Sequence, residues 1–316
     1  MMLDIQHLNG GDAPVNTTNC YLSGAAYRLG ARRRTAASLM GLDAFFAANG
    51  LPADLGLLGM GHFHETDDAV HLALAAARES LASVEGEVDA VILCGSRFLG
   101  ETADHAVAMH RLLAGLGLAP AFTAGVTMNR CASFLSGLRL AEAMVRAGQA
   151  RTCLAVTADR FATDAERLRP FALFSDGAAA CIVGAAPGRG SAYRIAGSAA
   201  ATDPAAASET AQISGQMVRR ANEALARACG HAIANHAMVL PTNVFAPLAT
   251  MTEAQGGAPP AALYLDNITR RGHVFAADPL VNLVDLEAGR AVAPGTRLWL
   301  AATVPGLRVA LSLERL

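Results

Sequence analysis

Ala124-Gly-Val-Thr-Met-Asn-Arg-Cys131-Ala-Ser-Phe-Leu-Ser-Gly-Leu138 is the stretch on which the rest of the chain turns. Before Cys131 runs an apolar, β-prone segment, Ala119 to Met128. After it, Phe134, Leu135, Leu138, Leu140, Ala141, Met144 and Val145 recur at helical spacing up to Gly148. Cys131 therefore stands where a strand gives way to a helix. The unpaired N–H groups and the positive end of the helix dipole face a sulfur placed there and favour its thiolate form. Two readings follow: an activated nucleophile at a strand–turn–helix junction, or a buried structural cysteine in an apolar chain.

Working outward, Asp67 to Val84 reads as an amphipathic helix and Val88 to Cys94 as a buried strand. Thr102 to Leu116 is helical, and Thr152 to Val156 is another buried strand. This alternation predicts an α/β chain with a mostly parallel sheet covered on both faces. Upstream, Val15 to Asn19 reads as a turn, and Arg32, Arg33 and Arg34 as the solvated start of a helix running to Ala48. Downstream, Leu173 to Val183 is a turn and a strand, and the Pro-, Gly- and Ala-rich stretch from Pro187 to Ser208 reads as a connector. A second βα pattern follows: a helix from Gln212 to Cys229, a strand from Met238 to Leu240 and a short helix from Asp278 to Leu286. Strands at Arg297–Ala302 and Leu307–Leu313, joined at Val304-Pro305-Gly306, close the chain.

Composition narrows the function. The 316 residues are 53% hydrophobic and 16% charged, enough for a large core and an oligomer interface; the formal charge of −2 argues against a general nucleic-acid binder. All 25 basic residues are Arg, which excludes lysine Schiff-base chemistry and a phosphate-binding GK[ST] loop. The six cysteines are scattered without a CxxC pair, so reduced thiols in the cytoplasm are expected rather than zinc or a disulfide framework. The first twelve residues lack the pattern of a signal peptide, and no uncharged apolar run reaches the roughly 18 residues of a membrane span.

Among nine histidines, His273 follows Gly272 in a loop, and Asp278 lies five residues on at a helix start. A His oriented by a carboxylate is what a general base requires, though such a pair also serves as an ordinary structural hydrogen bond. His62 and His64 share one side of a strand without a third ligand, so surface histidines are expected there rather than a metal. Asp176, in Ser175-Asp-Gly, reads as a turn former.

Asn129-Arg-Cys131-Ala-Ser-Phe, with Gly137-Leu-Arg-Leu-Ala141 after it, resembles the active-site stretch of the ketoacyl-acyl-carrier-protein synthase III family. Leu173-Phe-Ser-Asp-Gly-Ala-Ala-Ala180 is similar to that family's LFGDGAGA segment. Gly272-His-Val-Phe-Ala-Ala-Asp-Pro-Leu280 fits its GNTSAAS segment, and Val304-Pro-Gly306-Leu its C-terminal glycine turn. The four anchors run in order from Asn129 to Leu307, while the first 60 residues match poorly. The resemblance implies a thiolase-like five-layer α-β-α-β-α sandwich of two similar halves. These are placed at residues 1–186, with the nucleophile, and 187–316, with the His, Asp and glycine turn. It also implies a homodimer, Gly306 as an oxyanion-hole glycine, and no cofactor beyond the phosphopantetheine or CoA thioester of its substrate.

The departures from the family are informative. Where the family carries its catalytic His, this chain reads Leu240-Pro-Thr242-Asn243, and His273 stands at the family's Asn position. This resembles a divergent branch with a Cys-His-Asp arrangement, active in secondary metabolism, which transfers acyl groups to oxygen. Decarboxylative condensation needs two donors to hold a thioester enolate, and Thr and His in their places weaken that site. The expected function is thus an acyltransferase. Acyl carrier protein or acyl-CoA would be the donor and a small-molecule hydroxyl the acceptor. Cys131 would be acylated, Cys131 and Gly306 N–H groups would hold the oxyanion, and His273 would be the base with Asp278 as its orienter. Thr242 and Asn243 would lie on the substrate side. Arg219 and Arg220 would form a basic docking rim for an acidic carrier protein, or simply a solvated helix face. A decarboxylative β-ketoacyl synthase III and a non-catalytic subunit of a ketosynthase-like heterodimer are the rival readings.

Overall fold

Cys153, Leu154, Ala155 and Val156 expose nothing to solvent, and neither does any of Ala178 to Cys181. Strands buried on both faces need helices on both faces, and the rest of the chain supplies them. The computed structural model describes residues 19–97, 102–206 and 212–316. The first twelve residues, and Val15–Thr18 of the expected turn, lie outside them. In chain order the first elements are β1 (Tyr21–Leu29), β2 (Arg32–Thr35), α1 (Leu42–Asn49), α2 (Leu55–Leu58), β3 (His62–Glu65), α3 (Ala69–Leu81), β4 (Ala90–Cys94), α4 (Thr102–Leu116) and β5 (Phe122–Val126). There follow α5 (Ser133–Arg146), β6 (Thr152–Asp159), α6 (Asp164–Arg167), β7 (Leu168–Arg169), β8 (Ala172–Leu173), β9 (Gly177–Gly184) and β10 (Ala192–Thr202). The chain closes with α7 (Gly215–Cys229), β11 (Met238–Leu240), α8 (Ala246–Gln255), α9 (Asp266–Arg271), α10 (Asp278–Gly289), β12 (Arg297–Val304) and β13 (Leu307–Arg315).

Nine strands form one strip in the order β11-β12-β13-β10-β1-β9-β6-β4-β5. The short β1–β10 pairing, Tyr21 opposite Arg194 to Ser23 opposite Ala192, joins its two parts. Helices α5 and α10 touch strands of both parts and form the middle layer. Helices α3 and α4 cover one outer face, and α7 and α8 the other. The result is the five-layer α-β-α-β-α sandwich of a thiolase-like fold. The strip is mixed rather than mostly parallel. Only the crossovers β4–α4–β5–α5–β6 and the β11–β12 pair are parallel, while β9, β1, β10, β13 and β12 return antiparallel.

Three further expectations change. The stretch expected as a connector contains β10, an eleven-residue strand of mostly small residues paired along its length with β13. Ala and Ser carry little strand propensity; partners on both sides decide the conformation instead. Arg32–Arg34 form β2, paired with β3, and not a helix start. Arg32 meets Asp67 and Glu65, Arg34 meets Glu65 and Asp164, and the helix waits for Leu42, after Gly41 at φ 76°. Asp176 is fully buried and holds Arg167, 3% exposed, in a two-pronged ion pair of 2.6 and 2.8 Å. Among the described residues, no helix is long and apolar enough to cross a membrane, and no cluster of three or more His, Cys, Asp or Glu could hold a metal.

Candidate active site

Strand β5 delivers the chain to a turn at Thr127, whose carbonyl accepts the Arg130 N–H at 3.4 Å. Arg130 to Ala132 form one tight helical turn, and α5 begins at Ser133. Cys131 therefore sits in the 3₁₀ turn just ahead of α5, between strand and helix. Phe134, Leu135, Leu138 and Ala141 are fully buried, and this face seats α5 in the middle layer. Cys131 is partly exposed and packs against the buried cluster of Phe161, Ala172, Phe174 and Phe275.

His273 arrives from the other part of the molecule. Its N–H donates to the Leu173 carbonyl (2.8 Å), and its own carbonyl accepts the Ser175 N–H (2.9 Å). The Leu173-Phe-Ser-Asp segment thus grips the histidine backbone on both sides. Gly272 makes the approach possible: it has φ 71°, and a Cβ there would meet the Leu173 carbonyl oxygen at 2.9 Å. The Phe174 ring lies 4.3 Å from the imidazole, centre to centre. His273 is 1% exposed and Asp278 not at all.

The side chains of His273, Asp278 and Cys131 lie together. His273 Nδ1 donates to Asp278 Oδ2 at 2.5 Å, and Nε2 lies 3.2 Å from Cys131 Sγ. The carboxylate can only accept, so Nδ1 carries a proton and Nε2 is the atom left to face the sulfur. Burial opposes a positive charge on this ring. The Asp278 carboxylate and the Cys131 sulfur, with their hydrogen bonds to the ring, outweigh it and push His273 up to about 10. Elsewhere burial pushes the thiols of Cys20 up to about 12 and Cys153 up to about 11, and raises Cys94 and Cys181 as well.

Asp278 is held by more than the histidine. It accepts the backbone N–H of Val274 and of Asn243, both at 2.6 Å, and the Asn243 side-chain amide at 3.2 Å. Asn243 also donates to the Gly272 carbonyl (3.3 Å) and accepts from Asn282 (3.0 Å), which in turn donates to the Pro241 carbonyl (2.8 Å). The amide of Asn243 is thereby turned towards Asp278 and the protein interior rather than towards a substrate. Thr242 is buried, and its hydroxyl oxygen accepts the Thr303 N–H of β12 at 3.3 Å. Asn282 escapes a reading of the sequence, because nothing local marks a polar residue within an apolar helix face as a partner of Asn243, 39 residues away.

Gly306, at φ 80°, forms the tip of the β12–β13 hairpin, where Val304 pairs with Leu307. Its carbonyl accepts the Asp203 N–H (2.8 Å), and the Arg130 guanidinium donates to the adjacent Pro305 carbonyl. The glycine turn and the Cys131 turn are thus tied together. Arg219 and Arg220 are exposed on α7, in an outer layer away from the Cys131 cluster; Arg220 donates to the Thr202 carbonyl at 2.6 Å. His64, expected at the surface, is buried, with Nδ1 3.0 Å from the Gly30 carbonyl oxygen.

A buried His–Asp pair aimed at a partly exposed thiol can activate a nucleophile and move a proton at the same atom. Residues 127–204 match the 3-oxoacyl-[acyl-carrier-protein (ACP)] synthase III family. The beta-ketoacyl-[acyl-carrier-protein] synthase III of Rhodospirillum rubrum is 34% identical over 142 residues, 43% of this chain and 42% of that protein. The matched region thus spans less than half the length of this curated relative. Solved structures share the whole fold. ChlB3, an acyltransferase, has a TM-score of 0.79 at 19% identity over 94% of this chain and 98% of that one. Xanthomonas campestris OleA bound with cerulenin has a TM-score of 0.75 at 16% identity over 94% and 96%. The synthase III FabH of Pseudomonas aeruginosa has one of 0.72 at 20% identity over 94% and 98%.

Proposed function

The chain being synthase III-like and of thiolase fold, we propose that it is an acyltransferase moving an acyl group from a carrier-protein or CoA thioester, through Cys131, to a hydroxyl of a small molecule. The observation that carries this reading is the 3.2 Å approach of His273 Nε2 to Cys131 Sγ, with Asp278 behind Nδ1. In the first step the Cys131 thiolate attacks the thioester carbonyl. The backbone N–H groups of Cys131 and Gly306 hold the oxyanion, each worth about 3 kcal/mol. The tetrahedral intermediate then expels the donor thiolate, which takes the proton of the His273 imidazolium.

The acyl-enzyme has no charge on sulfur. One of the influences that raised His273 is then gone, and the neutral ring can accept the proton of an alcohol at Nε2. The alkoxide oxygen attacks the Cys131 thioester, the ester leaves, and the sulfur departs as thiolate beside the newly formed imidazolium. The site thereby returns to its starting charge state. Thr242 and His273 in place of a His–Asn pair favour this route over decarboxylative condensation, which needs both donors on an enolate.

The test is intact-mass analysis after incubation with a panel of acyl thioesters, followed by addition of candidate alcohols. Acylation of the wild type but not of Cys131→Ala, then loss of the acyl mass to an alcohol without release of carbon dioxide, is the expected result. Stoichiometric carbon dioxide would make the enzyme a condensing synthase. An inert Cys131 would make the chain a non-catalytic partner subunit.

A further inference from the structure

Among the described residues, two that are not glycine hold a left-handed backbone: Arg130 at φ 49° and Phe275 at φ 52°. Arg130 immediately precedes Cys131, and Phe275 lies two residues after His273. An L side chain adopts this conformation only at a cost in free energy, and such costs gather where the surrounding structure needs the resulting geometry. For Arg130 the side chain shows what is gained. Its guanidinium reaches a segment 175 residues away and donates to the carbonyl of Pro305, next to Gly306.

We propose that Arg130 is a positioning residue for the oxyanion hole: its guanidinium holds the Pro305–Gly306 turn against the Cys131 turn, so that two backbone N–H groups converge on one oxygen. The inference rests on the reading of Cys131 as the acylated nucleophile. Two facts carry it. The donors come from turns far apart in sequence, and the useful geometry of such a pair is narrow, with each donor about 2.7–3.1 Å from the oxyanion. The Gly306 turn lies at a hairpin tip. From one side it is held by Asp203, whose N–H reaches the Gly306 carbonyl at 2.8 Å; from the Cys131 side it is held by Arg130. An alanine at 130 would remove that second hold and keep the strained backbone. A glycine would remove the hold and accept φ 49° without strain.

The experiment compares two reactions of the same sulfur. Iodoacetamide alkylates Cys131 by displacement of iodide at a saturated carbon, and no oxyanion forms. An acyl thioester acylates it through a tetrahedral oxyanion. For Arg130→Gly, alkylation should proceed at the wild-type rate, while single-turnover acylation should fall about 10- to 100-fold, less than the 100- to 1,000-fold typical of losing a donor outright. Arg130→Lys, which keeps a charge and a donor, should fall between them. The melting midpoint of Arg130→Gly should not drop, because the glycine relieves the left-handed backbone. Unchanged acylation, or an equal loss of acylation and alkylation, would overturn the proposal; the second outcome would assign Arg130 to the sulfur's charge or to folding. If wild type and Cys131→Ala gain acyl mass equally, the nucleophile reading itself has failed, whatever the Arg130 variants do.

Discussion

At the scale of single residues, acylation and transfer make different demands on His273. The first is helped by the helix N-terminus and the oxyanion donors. The second removes a proton from an alcohol of far higher pKa than imidazole and depends on the base. His273→Ala should still be acylated, slowly, and should transfer about 100- to 10,000-fold more slowly than wild type. Asp278→Asn should show a milder form of the same defect, since it disturbs the orientation of the ring without removing it. Thr242→Ala should matter less than either, its hydroxyl being engaged with Thr303 N–H. Single-turnover acylation and transfer, measured separately, check all three.

The same histidine predicts a pH dependence of stability. Its folded value is raised from 6.5 to about 10, so its contribution is complete below pH 6.5 and is lost as pH rises through 10. Asp159 acts in a lower window. Burial pushes it up from 3.8 to about 7, against two hydrogen bonds from the Ser96 N–H, so stability falls as pH climbs from 3.8 through 7. Melting midpoints across pH should show both declines. His273→Asn should flatten the upper one and Asp159→Asn the lower one.

At the scale of elements, α5 lies so close to β4 that a Cβ at Gly137 would meet Cys94 Sγ at 2.4 Å and Ile92 Cγ2 at 3.3 Å. Helix propensity alone would make Gly137→Ala stabilising by up to ~1 kcal/mol. Overpacking of a full core costs ~1–3 kcal/mol and should win. Denaturant unfolding should find the variant less stable, with the Cys131 turn, carried at the head of the same helix, less reactive. On α7, Arg219 is the cleaner probe of carrier docking, because Arg220 already donates to Thr202. Arg219→Glu should slow transfer from acyl carrier protein several-fold, more so at low salt, and leave transfer from acyl-CoA unchanged. Equal rates from carrier protein would reduce Arg219 to a solvated helix position.

At the scale of the whole molecule, β5 is the edge of the nine-stranded strip and is largely exposed. Phe122 is 46% exposed, and Met128, just beyond the strand, is 84% exposed. An edge strand with bare apolar residues calls for a cover. The expected homodimer would supply it by pairing this edge with that of a second copy. Sedimentation should give a dimer for wild type, and Phe122→Glu should shift it towards monomer. A monomeric wild type would refute the arrangement.

Part of this was legible in the sequence. Apolar periodicity placed α5, β6, α7 and β11 within a few residues, because each buries one face or both against a core and the pattern of burial is written locally. The place of Cys131 between a strand and a helix, and the five-residue step from His273 to Asp278 at a helix start, were legible too, because both are local features of the chain. Tertiary structure alone decided the rest. β10 is a strand because β1 and β13 flank it, not because alanine and serine prefer one. Arg32–Arg34 are extended because β3 lies beside them. Asn243 serves Asp278, and Arg130 reaches Pro305, through contacts spanning 35 and 175 residues. The 3.2 Å meeting of Cys131 with His273 joins residues 142 apart. Local sequence records which face of an element is buried; it does not record what that face is buried against, and the geometry of this site consists of such pairings.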